Sequence, residues 1–497
     1  MADLQDLRDT IDAIDEKMAR LFSERMDAVA AVARLKKDTG KPTRDEARER
    51  QIIESHLAEI PPEYRPEYRA FMNDLFCASR AYQDRVAGRG EKLLRAEADG
   101  TPYFDNAFGA VRAARQYTAT DKINATVGSL CDEDGSLVAF DSVWKTYDEI
   151  DGRAKAAYAP AIGGSGEFNS AVFAWLNRLG NIRLPHACLA TPGGTGALSV
   201  AVDSALESGG TLLIPSIGWG TYAVMAKVKK CRIARYQLFI DGKLTTEGIK
   251  TAAEAVMKDE GRVTVIINDP CHNPTGASFT SQQWADLMDF FNDLSMSGPV
   301  TLINDIAYID YAADPDRATA YMENFNRIAE NVAVILAFSC SKTMTAYGMR
   351  LGCAVILCAS ADKADRLLNA YTRYARSTWS NVNNGFMQCF SRVMADPAAF
   401  VEEKKQAVEM LKKRALLFCT QAKRCGLSLY PYTEGFFVTI RVEDEQKLLE
   451  LDEALQRQGI FGVRFPGALR LALCGISLAQ TDGLAPRIKA TLDSLGH

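Results

Sequence analysis

Five short runs of aliphatic and β-branched residues recur beyond residue 200: TLLIPS (211–216), VTVIIND (263–269), VTLIND (300–305), VAVILAFS (332–339) and CAVILC (353–358). Helical stretches alternate with them. Such alternation specifies an α/β domain with a largely parallel sheet, because parallel neighbours need a crossover and the usual crossover is a helix. Residues 1 to about 87 contain no such run and read as helical throughout, broken by Gly40 and a few prolines. Between the two textures, GRGEKLLRAEADGTPYF (88–104) is polar, holds three glycines and reads as a linker. The expected organisation is an all-α unit at 1–87, a linker at 88–104 and an α/β body at 105–497.

Hydrophobic residues make up 47% of the 497 positions, ample for two cores. The net charge of -5 argues against a nucleic-acid partner, which calls for a basic excess. The longest apolar runs, such as VAVILAF (332–338), are far too short to span a bilayer. The opening MADLQDLRDTIDAIDEKM has neither the basic start nor the apolar stretch of a secretory leader. Twelve cysteines without a CxxC pair indicate free thiols in a reducing compartment, and four histidines (His56, His186, His272, His497) speak against a metal centre. A reducing, cytoplasmic setting, with no nucleic acid, no metal and no membrane, is the expectation.

The first helix is expected over 4–37, with Ile11, Met18, Phe22, Val29 and Val32 on one heptad stripe. At 3-4 spacing the same stripe takes in Arg8, Arg25 and Lys36. Any one cation can snorkel to the edge of a bundle, but three on an inward stripe call for an anion. KPTRDEARERQIIE (41–54) carries eight charges in fourteen residues. Thr43 and Glu46 make a capping box that starts a second helix there. Asp45, Arg48 and Glu49 then share a side with Ile52, while Glu46, Arg50 and Glu54 form a separate, solvated stripe. On a third helix, roughly 63–86, Ser79 and Gln83 interrupt the apolar face of Met72 and Phe76. An interior lined in this way suits a small molecule with two carboxylates.

Residues 4–86 resemble the all-helical chorismate mutases through LRDTIDAIDEKM, SER, LKK, PTRDEARE and SRAYQ, in order and at the right spacing. That resemblance implies a three-helix chain in an intertwined dimer. It implies that Arg25, with Arg8 from the partner chain, holds the two carboxylates of chorismate. Lys36 and Gln83 would then donate to the ether oxygen, and Glu49 would take the ring hydroxyl. Asp45, Arg48 and Ser79 would complete the lining. The rearrangement to prephenate needs no nucleophile or cofactor, only a folded substrate and donors at the oxygen where charge gathers.

Four stretches carry the chemistry of the α/β body. TPGGTGAL (191–198) opens a helix with glycines whose N–H groups can cradle a phosphate. NDPCHNPTG (268–276) follows a strand and by itself reads as a turn. VTLINDIAY (300–308) ends a strand in an acid, Asp305, with Tyr308 three residues on. AFSCSKTMTAYGMRLG (337–352) sets Lys342 behind a hydrophobic strand, where desolvation makes its amine nucleophilic, with Arg350 eight residues later.

Together these stretches resemble the fold type I pyridoxal-phosphate enzymes of the aspartate and aromatic aminotransferase group. The likeness covers about residues 105–497 and implies a large domain with a mixed, mostly parallel sheet beside a smaller α+β domain. It implies that Lys342 forms the Schiff base with pyridoxal 5'-phosphate and shuttles the proton, and that Asp305 keeps the ring nitrogen protonated. Asn273 and Tyr308 would bond the ring oxygen, and Trp219 would stack on the ring. Gly194, Thr195, Ser339 and Arg350 would take the phosphate, with Tyr158 (in AYAPAIGG) coming from the partner chain. For substrate, INATVGSLCDEDG (123–135) supplies Val127 and Gly128, GALRLALCG (467–475) supplies Arg470 for the α-carboxylate, and ARSTWSN (375–381) supplies Arg376 for a distal carboxylate across the dimer. Two departures bear on substrate choice: Asn268 stands where a histidine is common, and GTY follows Trp219 in place of a proline-containing turn.

The two resemblances combine into a bifunctional enzyme of aromatic amino acid synthesis. Prephenate made by the first part, or an aromatic 2-oxo acid, would be aminated by the second, with glutamate or aspartate as donor, in a homodimer or higher assembly. The alternative is an aspartate-type aminotransferase with a non-catalytic, regulatory or dimerising front module.

Overall fold

The computed structural model describes residues 3–88, 106–314 and 318–495. The chain divides into two compact units, one of residues 1–103 with 208–210, the other of the remainder. The linker expected at 88–104 lies outside the described residues except for Gly88.

The first unit is three helices: α1 (Leu4–Thr39), α2 (Glu46–Leu57) and α3 (Arg65–Val86). Asp3 caps α1 through a capping box, and Gly40 ends it in the left-handed conformation at φ 66°. The start of α2 differs from expectation. Asp45 is its cap, accepting from the Arg48 N–H at 3.0 Å, while the Thr43 hydroxyl donates to Asp84. A carboxylate two residues nearer the helix outcompetes a hydroxyl already engaged by α3. Asp45 therefore stands outside the helical stripe of Arg48 and Glu49. Ile53, Leu57, Met72 and Phe76 form the small core. On α1 only Ala30 and Ala33 are buried, whereas Ile11, Met18, Phe22 and Val32 of the expected inward stripe are exposed.

The second unit is built on a seven-stranded sheet: β1 (His186–Thr191), β2 (Thr211–Pro215), β3 (Arg232–Tyr236), β4 (Val263–Asn268), β5 (Val300–Asp305), β6 (Val332–Ser339) and β7 (Gly352–Cys358). In space the order is β1-β7-β6-β5-β4-β2-β3, parallel throughout except for β7, which runs against both its neighbours. All six residues of β4 and all seven of β7 are buried, as strands covered by helices on both faces must be. Separate apolar cores fill the two faces. A smaller antiparallel sheet of β8 (Phe437–Arg441), β9 (Val463–Phe465) and β10 (Ala468–Ala472) has a core of its own. Ile123–Asn124 pairs in parallel with Ile460–Phe461, which fastens the segment after residue 122 to this smaller layer. This is the mixed, mostly parallel sheet with a smaller α+β part that the sequence implies. The helices that matter for the site are α4 (Gly166–Asn177), α5 (Gly193–Ala205), α6 (Cys340–Thr343), α7 (Ala361–Thr378) and α8 (Ala398–Cys425). Among the described residues, no helix is long and apolar enough to cross a membrane.

Candidate active sites

The sheet register brings the chemistry of the second unit to the carboxyl ends of the strands. Asn268, last in β4, lies directly beside Asp305, last in β5, and Asp305 pairs with Ala337 of β6. Ser339 closes β6, and Lys342 follows in α6. The Lys342 ammonium donates to the Gly128 carbonyl at 2.7 Å and lies 4.7 Å from the Tyr347 ring and 5.3 Å from the Tyr308 ring. Burial pushes its pKa down to about 8. Asp305 accepts from the Tyr222 hydroxyl at 2.6 Å and from the Ala307 N–H at 3.1 Å. Burial still pushes its carboxyl up to about 6, and a cationic ring nitrogen set against it would draw that value down again.

An anion cradle sits at the start of α5. Gly193 adopts φ 75°, and a Cβ there would stand 2.6 Å from Nη2 of Arg350. At Gly194 a Cβ would press on Cβ of Ser339 at 3.2 Å. Only glycines let the helix's free N–H groups, the guanidinium and the serine converge so closely. Arg350 is itself left-handed at φ 52°, held by the Tyr347 carbonyl at 2.9 Å and the Ser341 hydroxyl at 3.2 Å. A lysine of lowered pKa, an acid at the next strand end and this cradle fit pyridoxal phosphate.

The segment expected to hold a carboxylate is tied to the loop at 126–128. Arg470, on β10, is 5% exposed and donates to the Thr126 carbonyl at 2.7 Å and to Oδ1 of Asn273 at 3.2 Å, with its guanidinium 4.4 Å over the Phe437 ring. The Asn273 N–H in turn donates to the Asn268 side chain at 2.7 Å. Tyr308 packs on Phe436 and Phe437, and Gly128 lies so close to the Phe437 ring that a Cβ would come within 2.8 Å of it. Val127 beside it is partly exposed. Lys342, Asp305, Tyr308, Asn273, Gly128, Arg470, Gly194, Ser339 and Arg350 thus form one connected region of the protomer. Trp219 meets Tyr222 edge-on at 5.5 Å, and the Thr195 side chain is exposed at the mouth of the cradle. Tyr158 (85% exposed) and Arg376 (on α7, bonded to Ser380 at 2.8 Å) lie on the surface, away from these contacts.

Three participants escape a reading of motifs. Tyr222 holds Asp305. Tyr347 accepts from the Leu130 N–H at 2.9 Å. Arg414 of α8, fully buried, bonds Glu133 at 2.7 Å and the carbonyls of Cys131 (3.0 Å), Cys474 (3.3 Å) and Leu473 (3.4 Å). Tyr222 and Tyr347 lie in stretches quoted above, GTY after Trp219 and AFSCSKTMTAYGMRLG, without a role read for either; Arg414 lies in none.

In the first unit, Arg25 donates to the Ser79 hydroxyl and lies 5.8 Å over the Phe76 ring. Glu49 pairs at 2.6 Å with Arg80, a buried cation not singled out in the sequence. Gln83 sits one turn further along α3, and its buried Oε1 has no hydrogen-bond partner among the described residues. Lys36 donates to the Thr43 carbonyl at 2.7 Å. Arg48 is exposed and bonds Gln51, and Asp45 is exposed at the cap. Arg8 is exposed near the start of α1. Seventeen residues separate it from Arg25, about 25 Å along a straight helix, so the two cannot grip one small molecule from the same chain.

An aminotransferase of Anaerococcus prevotii shares the architecture, with a TM-score of 0.77 and 27% identity, covering 82% of this chain and 100% of that one. An aromatic-amino-acid aminotransferase of Burkholderia pseudomallei, described as covalently bound to pyridoxal phosphate, has the same fold at a TM-score of 0.66 and 22% identity, over 80% of this chain and 98% of that one. The second unit thus has the fold of these aminotransferases. Residues 120–488 match Aminotransferase class I and II, and the chain belongs to that family. Residues 7–84 match Chorismate mutase type II. An aromatic-amino-acid aminotransferase of Paracoccus denitrificans is 32% identical over 200 residues, 39% of this chain; the stretch spans 48% of that relative, about half its length. Both matched regions belong to enzyme families, an isomerase ahead of a transferase.

Proposed function

We propose that the chain is a bifunctional enzyme of aromatic amino acid synthesis, in which the helical unit rearranges chorismate to prephenate. Residues 105–497 then pass an amino group from glutamate or aspartate to prephenate or to an aromatic 2-oxo acid. The observation that carries the reading is the convergence on the 126–128 loop, where Lys342 bonds the Gly128 carbonyl and Arg470 the Thr126 carbonyl. A substrate held there by its α-carboxylate presents its Cα to the lysine.

Pyridoxal phosphate supplies, when bound, an electron sink for that carbon. Gly194, Thr195, Ser339 and Arg350 would bind its phosphate, Asp305 its ring nitrogen, Asn273 and Tyr308 its ring oxygen, and Trp219 its face. Arg470 holds the α-carboxylate in a fixed plane by paired hydrogen bonds. Lys342, whose pKa of about 8 leaves a larger minority of the amine neutral near physiological pH than an ordinary lysine has, takes and returns the proton at Cα. Val127 and Gly128 cover the substrate. Tyr158 and Arg376, exposed in the protomer, serve the site of a second copy, Tyr158 at the phosphate and Arg376 at a distal carboxylate.

In the helical unit, Arg25 and Arg8 of a second copy hold the two carboxylates of chorismate. Lys36 and Gln83 stabilise the ether oxygen, and Glu49 takes the ring hydroxyl. Asp45, Arg48 and Ser79 complete the lining. A homodimer follows, and the reaction takes place wherever the enzyme is soluble; the cytoplasm is the proposed compartment.

The test is one incubation of the protein with chorismate, glutamate and pyridoxal phosphate, with products identified by mass. Arogenate supports coupled chemistry, and unconsumed chorismate overturns the isomerase assignment. Lys342→Ala should abolish amino transfer; persistent turnover would remove Lys342 from its role.

A further inference from the structure

The proposed reaction leaves a buried ionic cluster unused. Asp310, 1% exposed, lies five residues beyond Asp305 in the turn Ile309–Tyr311. Its carboxylate accepts from the Thr343 hydroxyl at 2.7 Å, from Nε1 of Trp175 on α4 at 3.1 Å and from Arg178 at 3.2 Å. The ammonium of Lys404 on α8 stands 3.4 Å away, 3% exposed and 4.5 Å from the Phe400 ring. Burial works against a charge on Asp310, yet Lys404, Arg178 and the hydrogen bonds from Thr343 and Trp175 hold its carboxyl below the ordinary value. A buried ion pair of this kind contributes little net stability compared with apolar packing, so stability alone does not account for it.

Of the groups it holds, one adjoins the reacting centre. Thr343 follows Lys342 in α6, a helix of four residues, too short to stiffen itself. The Tyr311 hydroxyl, from the same turn as Asp310, donates to the Lys342 carbonyl at 3.0 Å. Lys342 through its carbonyl and Thr343 through its side chain are therefore fastened to the segment that also carries Asp305 and Tyr308.

We infer that Asp310, anchored by Lys404 and Arg178, is a positioning residue that seats the Lys342 backbone through Thr343, so that the nucleophilic amine and the ring acid share one rigid frame. This rests on the reading of Lys342 given above. The frame matters because the amine must move between partners and return to the same place, and a displacement near 1 Å costs about 100-fold in rate.

The experiment replaces Thr343 by Val, which keeps the side-chain shape and removes the hydroxyl, and by Ser, which restores it. In the loaded full-length enzyme, Thr343→Val should lower kcat for amino transfer by about 10- to 100-fold with little change in KM for the donor, and Thr343→Ser should recover most of it. A second readout uses the cofactor-free protein: acylation of Lys342, followed by peptide mass spectrometry across pH. Its midpoint should move upward from near 8 in Thr343→Val, although the groups around the amine, the Gly128 carbonyl, Tyr308, Tyr347, Cys474, Arg470, Arg350 and Asp305, are untouched. A purely structural hydroxyl would lower the melting temperature and leave both kcat and the midpoint unchanged, which overturns the inference. Should Thr343→Val fail to fold, Tyr311→Phe removes the neighbouring anchor and is judged by the same two readouts. Turnover in Lys342→Ala would instead defeat the underlying reading.

Discussion

At the scale of single residues, the site is a matter of how far burial moves a proton. Lys342 is held near 8 in the fold, below the ordinary lysine value, so between about 8 and 10.5 the native chain binds fewer protons here than the unfolded one. Its contribution to stability accordingly rises with pH through that window and is least favourable below 8. Site-resolved acylation of the cofactor-free protein should show Lys342 reacting with a midpoint near 8, ahead of the surface lysines. Asp305 is displaced the other way, and the Tyr222 hydroxyl is one of the few groups that oppose the displacement. Tyr222→Phe removes a charge-assisted bond of about 1.5–3 kcal/mol. It should raise the Asp305 pKa by about one unit or more. The acid limb of the kcat–pH profile would move to higher pH, and an unmoved limb would detach Tyr222 from Asp305.

At the scale of elements, the first two thirds of α1 are the clearest unfinished surface. Leu7, Ile11, Ile14, Met18, Leu21 and Phe22 are all 45% exposed or more in the protomer. A second copy covering this seam would also deliver Arg8. Mixing Arg8→Ala with Gln83→Leu, each inactive on chorismate alone, should restore about a quarter of the wild-type isomerase rate after subunit exchange. Half the dimers are then mixed, and each mixed dimer has one intact site. No recovery would mean that Arg8 and Gln83 act from one chain. On α7, Arg376→Ala should weaken glutamate and aspartate far more than phenylalanine or tyrosine, read as separate KM values; equal losses would make Arg376 structural. Much of this was legible in the chain. Strand runs ending in Asp305 and Ser339, and a glycine pair opening a helix, announce their position because their meaning is local. Tyr222, Arg80 and Arg414 do not, since their partners lie 83, 31 and about 280 residues away, where no spacing rule reaches. The cap of α2 departs from the spacing rule for a related reason: Thr43 is diverted by Asp84, 41 residues on, and Asp45 takes its place.

At the scale of the whole molecule, two units with separate cores match two separate enzyme families, and the proposal gives each its own chemistry. Lys342→Ala should therefore leave chorismate consumption at the wild-type rate while abolishing amino transfer, and Gln83→Leu should do the reverse when phenylpyruvate is the acceptor. Loss of both activities from either change would argue for interdependent centres. Within the second unit, Arg414 has a different consequence. One guanidinium grips Cys131 and Glu133, just past the loop proposed to cover the substrate, and Leu473 and Cys474, just past the proposed carboxylate anchor, although some 340 residues separate the two segments in the chain. Anyone transplanting substrate preference into this enzyme must treat 125–133 and 470–478 as a single graft with position 414 as its suture, since exchanging either half alone leaves the stitch without its other edge.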